Sequence, residues 1–160
     1  MSDRAQLILA LRTYPQRLEL ALAEIPTAAL TATPLANEWS VAQNVHHLAD
    51  SHLNAFVRCK LIATEHEPPL KPYDQNAWAA HPDGTSADLS TSLAILRGLH
   101  VRWADFFATL SDSDYARIGH HPEAGVMSLD RLLKGYVQHG NDHLDQIART
   151  MTAYHGQKGA

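Results

Sequence analysis

Four stretches of this chain repeat apolar residues at intervals of three and four, and none sustains the period of two that a half-buried strand needs. Residues 2–25 carry Leu7, Leu11, Leu18, Leu22 and Ile25, with Pro15 either bending that helix or marking its true start. A second helix opens at Ser40-Val-Ala-Gln43, a capping box, and runs to about residue 63 with Val41, Val45, Leu48, His52, Ala55, Phe56, Cys59 and Ile62 on one face. A third spans residues 87–110 through Leu89, Leu93, Leu96, Leu99, Trp103, Phe106, Phe107 and Leu110. A fourth begins at Ser128 and follows Leu129, Leu132, Leu133, Tyr136, Val137, Leu144, Ile147 and Met151. Each helix has one apolar face to bury, which predicts an all-α four-helix bundle.

The connectors are of unequal length. Residues 26–39 and 111–127 are polar and without periodicity. Residues 64–86 hold four prolines and fit no regular element; a loop that long in a compact domain has a function of its own or is disordered, and Tyr73 and Trp78 favour an ordered one. The whole length, residues 1–160, reads as a single domain. It contains no apolar run of the roughly 18 residues needed to span a bilayer. The first residues lack the order of regions of a signal peptide, so no membrane is expected and the cytoplasm is the expected compartment.

Composition narrows the chemistry. The single cysteine, Cys59, excludes an internal disulfide and a thiolate-only zinc site, and its place among apolar residues makes it a small core residue. A net charge of -4 with scattered basic residues offers no stripe for a nucleic-acid backbone. Against this stand 11 histidines, nearly as many as the 13 lysines and arginines together. His139 and His143 are four apart on the fourth helix, which stacks their rings one turn apart and lets them chelate one metal. Two nitrogens leave a divalent ion under-coordinated, so a third ligand must come from another helix. The second helix offers His46, which the spacing turns to the opposite side, His52 at the centre of the apolar face, and His47 on a polar stripe with Asn44, Ser51, Asn54 and Arg58. Periodicity leaves the choice between His47 and His52 open.

The residues that surround these histidines resemble the DinB-like superfamily, in particular its YfiT branch of candidate metal-dependent hydrolases and bacillithiol S-transferases. The resemblance lies in Trp39-Ser-Val-Ala-Gln-Asn-Val-His-His-Leu-Ala-Asp-Ser-His-Leu-Asn-Ala-Phe-Val-Arg58, Lys71-Pro-Tyr-Asp, Trp78-Ala, His100-Val-Arg-Trp103, His121-Pro-Glu and Tyr136-Val-Gln-His-Gly-Asn-Asp-His143, in order, over residues 39–147. It implies a bundle of up-down-down-up order, a homodimer, and one zinc or nickel ion held by His47, His139 and His143. The sequence departs from the branch at Gln75, where glutamate is usual, and at Gln138 and Asp142, where an aromatic and another histidine are common.

Beside these ligands, Arg58 lies on the stripe of His47, three turns along, where it either holds an anionic substrate group or pairs with a surface carboxylate. Tyr73 and Trp78 either cover a metal pocket or anchor the long loop, and His121, preceding Pro122, is a candidate proton carrier. His52 and His100 read as core histidines. Glu-x-x-His, His-Glu-x-x-His, the phosphate-binding loops and Gly-x-Ser-x-Gly are absent, which removes di-iron carboxylate bundles, zincins, nucleotide enzymes and serine hydrolases. The expected function is that of a mononuclear metalloenzyme acting on a small thiol or electrophile, as a thiol S-transferase or hydrolase. The alternative is a non-catalytic helical binding protein with a structural metal.

Overall fold

The structure, a computed structural model, describes residues 3–158. Along the chain come α1 (Asp3–Leu22), α2 (Thr27–Leu30), α3 (Val41–Thr64), α4 (Gln75–Ala79), α5 (Ser90–Ala108), α6 (Asp112–Tyr115), β1 (Ile118–His121), β2 (Gly125–Ser128) and α7 (Leu129–Lys158). The long helices α1, α3, α5 and α7 form the bundle. The capping box forms as its residues require: Ser40 Oγ accepts the Gln43 amide at 3.2 Å, and the Ser40 amide donates to Gln43 Oε1 at 3.1 Å. Pro15 neither starts nor ends α1; the helix begins at Asp3 and runs through it.

Side-chain pairing gives the directions. Arg4 pairs with Asp112, Arg12 with Asp105 and Arg97 with Glu19, so α1 and α5 are antiparallel. His46 bonds Ser92 and His52 bonds His100, so α3 and α5 are parallel. His143 reaches Asn44 and His139 reaches His52, so α7 runs against α3, and the packing of Arg4 with Asp130 and Tyr14 on Gly140 sets α7 parallel to α1. The order is up, down, down, up. Each long helix packs on two others in the cycle α1, α5, α3, α7, which puts α1 diagonally opposite α3 and α5 opposite α7.

This order explains the long connector between α3 and α5. Two adjacent parallel helices need a chain that returns the full length of the bundle, about 36 Å for the 24 residues of α3 at 1.5 Å each. Residues 65–89 make that return and are ordered by what they touch. Asp74 caps α4 through the amides of Asn76 and Ala77, and Gln43 Nε2 donates to the Ala79 carbonyl at 2.9 Å.

The all-α bundle carries one small addition that the sequence did not suggest. Residues 118–128 form an antiparallel hairpin, with Ile118 opposite Ser128 and His121 opposite Gly125, where the sequence offered only a polar turn. Neither Ile-Gly-His-His nor Gly-Val-Met-Ser alternates apolar with polar residues, so the strand signal is absent from both. The hairpin extends to the long loop, since Leu70 donates to the His120 carbonyl at 2.8 Å and His120 to the Pro68 carbonyl at 2.9 Å. Gly119 permits this: a Cβ there would lie 2.9 Å from Ile62 Cγ1 and 3.0 Å from the Pro68 carbonyl oxygen.

The core is in two parts. One gathers Leu11, Cys59, Ile62, Trp103, Phe107, Leu129, Leu132 and Leu133; the other gathers Tyr14, Leu18, Val45, Leu48, Leu96 and Ile147. Along the helices, the levels of His52, His100 and His139 fall between them, so a layer of imidazoles divides two apolar clusters.

Candidate metal centre

α3 supplies His47 and one turn of α7 supplies His139 and His143, and antiparallel packing brings the three rings to one level. A ligand nitrogen from each lies within 4.8 Å of the others. The Nε2 atoms of His47 and His139 are 3.4 Å apart, and those of His139 and His143 3.1 Å. Bonds of about 2.0–2.1 Å to a tetrahedral ion put its donors about 3.3 Å apart. The spacing therefore fits a single divalent cation.

The rings are prepared for that role. His143 Nδ1 lies 2.7 Å from Asn44 Oδ1, and the Asn44 amide nitrogen is committed to the Ser40 carbonyl at 2.9 Å, so the oxygen faces the imidazole and accepts its proton. That leaves His143 Nε2 unprotonated and directed at the other two rings. Burial opposes a charged imidazole, and His47 and His139 are lowered to about 4 and His143 to about 3, with neighbouring histidines adding to the effect at His47 and His143. Neutral nitrogens facing one point are a donor set for zinc, nickel or a similar ion. Trp39 packs against two of the rings, 4.6 Å from His47 and 6.1 Å from His143 between centroids.

A cavity of about 710 Å³ opens beside His47 and His139, walled by Ser51 and Arg58 of α3, Tyr136 of α7, Pro72, Tyr73, Asp74 and Gln75 of the long loop, and His121 and Glu123 of the hairpin. Arg58, Tyr73 and His121, far apart in sequence, thus meet in one cavity with two of the three histidines. Arg58 donates to the Lys71 carbonyl at 2.5 Å, and among the described residues it has no carboxylate partner. His121 Nδ1 accepts the amides of Glu123 and Ala124, both at 3.2 Å, so its proton sits on Nε2. Burial pushes the Tyr73 hydroxyl up to about 12, and its ring lies 4.5 Å from that of Trp78. The loop is a wall of the cavity; Trp78, 44% exposed, stands outside it.

His46 corrects the expectation from spacing. Instead of facing away, it is buried toward α5, with Ser92 Oγ at 2.8 Å and the Ser86 carbonyl at 2.9 Å, because the returning loop covers that side of α3. His52 and His100 are core histidines, fully buried, yet His52 Nε2 lies 3.2 Å from His139 Nδ1, a link that spacing within one helix does not reveal. Asn44 was legible as a member of the His47 stripe; its partner on α7 was not. Of the departures from the resemblance, Gln75 lines the cavity, whereas Gln138 and Asp142 bond one another on the surface at 2.8 Å. Cys59 is buried and its thiol is pushed up to about 12, as expected of a core residue.

The chain is similar to known proteins in both sequence and fold. The sequence profile of the DinB superfamily matches residues 10–147. YfiT of Bacillus subtilis, named as a candidate metal-dependent hydrolase, is 40% identical over 142 residues, 88% of this chain and 79% of that protein. A protein of Oceanobacillus iheyensis with the same kind of name is 37% identical over 133 residues, 83% of this chain and 77% of the other. The solved structure of B. subtilis YfiT, described as having an unusual four-helix bundle topology, superposes with a TM-score of 0.89 at 36% identity, over 94% of this chain and 87% of that one.

Proposed function

The chain belongs to the DinB superfamily, and from that premise we propose that it is a mononuclear metalloenzyme in which His47, His139 and His143 hold one zinc or nickel ion. The observation that carries this reading is the convergence of three imidazole nitrogens within 4.8 Å of one another, His139 at metal-ligand spacing from both others, beside a cavity. A divalent cation there supplies Lewis acidity, which lets water or a small thiol ionise near neutral pH. Hydrolysis and thiol transfer to an electrophile share that requirement; we favour thiol transfer, by the likeness of the motifs to the S-transferase branch.

The chain's own residues do the rest. Arg58, fixed by the Lys71 carbonyl and paired with no carboxylate among the described residues, faces the cavity and binds an anionic group of the substrate or thiol. His121 offers a fixed Nε2–H from the opposite wall, and the hydroxyls of Tyr73 and Tyr136 add donors between them. A structural metal site would be closed by a fourth protein ligand. Among the described residues the cluster has three, which favours catalysis over the binding-protein alternative.

The test is metal content by mass spectrometry of protein purified without nickel resin, for wild type, His47→Ala and His139→Ala. About one equivalent per chain, lost in both variants while helical circular dichroism persists, is the expected result; no uptake under any reconstitution overturns the reading. Thiol consumption with a model electrophile, set against ester hydrolysis without thiol, then separates the two reactions. We further propose a homodimer acting in the cytoplasm; a monomer mass by light scattering at working concentration would contradict the first part.

A further inference from the structure

α1 contains a buried proline in its middle, where a helix ordinarily tolerates none. An amide at position 15 would bond the carbonyl of residue 11, and proline has no N–H to give. The Leu11 carbonyl instead accepts from His100 Nδ1 at 2.6 Å. From there a chain of buried contacts crosses the bundle: His100 Nε2 lies 2.8 Å from His52 Nδ1, and His52 Nε2 lies 3.2 Å from His139 Nδ1. One group comes from each long helix.

A carbonyl can only accept, and this fixes every proton in the chain. His100 must carry its proton on Nδ1, so its Nε2 accepts. His52 must then carry its proton on Nδ1 and accept at Nε2, and His139 must carry its proton on Nδ1. The one nitrogen left unprotonated on His139 is Nε2, which faces His47 and His143. Both core rings are fully buried, with each ring nitrogen facing a partner within the chain. Tyr14 packs on both, 5.8 Å from His52 and 5.4 Å from His100, and Gly140 lets it approach α7.

We propose that His52 and His100 are positioning residues for His139: anchored on the Leu11 carbonyl that Pro15 leaves free, they set the tautomer and the ring orientation of His139 that direct its Nε2 to the metal. The proposal rests on the reading that His47, His139 and His143 bind an ion. Partners of this kind, one bond behind a ligand, change metal affinity by about 10–100-fold when lost.

The experiment measures zinc affinity by chelator competition on the full chain, together with nitrogen-15 NMR of the histidine rings in the zinc-loaded protein. His52→Leu, which removes the acceptor for His139, lowers affinity by about 10–100-fold, and His52→Gln, whose side-chain oxygen can accept that proton, restores most of the loss. In the wild type, His52 and His100 carry their protons on Nδ1. An unchanged affinity in a folded His52→Leu protein, or a proton on Nε2 of either ring, overturns the proposal. If the wild type takes up no zinc, the metal reading fails instead, and the ring spectrum of the zinc-free chain decides the order of protons: Nδ1–H on His52, His100 and His139 upholds it, and any other set overturns it.

Discussion

At the scale of single residues, the candidate centre depends as much on the groups behind the histidines as on the histidines. Asn44 is fully buried, its oxygen on His143 and its nitrogen on the Ser40 carbonyl. Asn44→Leu leaves a buried imidazole N–H without an acceptor. A loss of about 1–3 kcal/mol in urea unfolding is expected, with a weakening of metal binding of about 10–100-fold. Asn44→Asp, which keeps an acceptor, should retain most of the affinity. Arg58 behaves differently, since it touches none of the three ligands in the contacts above. Arg58→Ala should leave metal content at wild-type level while raising KM for an anionic substrate, and equal loss of metal would contradict the role given to it.

At the scale of elements, close approaches that only glycine allows hold the site's walls together. A Cβ at Gly140 would stand 2.6 Å from Tyr14 Cε2, so Gly140→Ala forces α1 from α7 or turns the ring that covers His52 and His100. A destabilisation of about 1–3 kcal/mol is expected from such overpacking, read as a lower urea midpoint. Ser40→Ala removes the cap of α3, the helix that carries His47, at about 0.5–2 kcal/mol on the same assay. The four long helices were legible because each repeats its apolar residues over many turns, and repetition averages out local exceptions such as Pro15. The hairpin and α4 were not legible: elements of four or five residues carry too little pattern, and both owe their order to partners elsewhere, the Pro68 carbonyl for the hairpin and the Gln43 side-chain amide for α4.

At the scale of the molecule, a layer of neutral imidazoles in the middle of a bundle makes stability depend on pH. For a histidine whose folded pKa is lowered, the unfolded chain takes up a proton below about 6.5 while the folded one does not. Stability is therefore full above that value and falls as pH drops toward about 4, where His47, His100 and His139 begin to protonate in the folded state. Each such group contributes a slope of about 1.4 kcal/mol per pH unit in that window. The melting temperature of the metal-free protein should be nearly level above pH 7 and decline steeply between pH 6 and 4; a level profile to pH 4.5 would contradict it. Excess zinc at pH 7.5 should raise the melting temperature, because an ion bound only by the folded state stabilises it by mass action. No helix among the described residues is long and apolar enough to cross a membrane.

The sequence by itself determined the four amphipathic helices, the cap of α3, the isolation of Cys59 in the core and, through the likeness of its motifs, the three histidines to watch. These are properties of spacing along one helix or of ordered motifs, and spacing is written in the chain. Tertiary structure alone decided what faces what: that Asn44 meets His143, that Arg58, Tyr73 and His121 share a cavity, and that the Leu11 carbonyl reaches His139 through two other helices. Each of these contacts joins residues distant in sequence, and their partners are chosen by the direction and level at which whole helices pack.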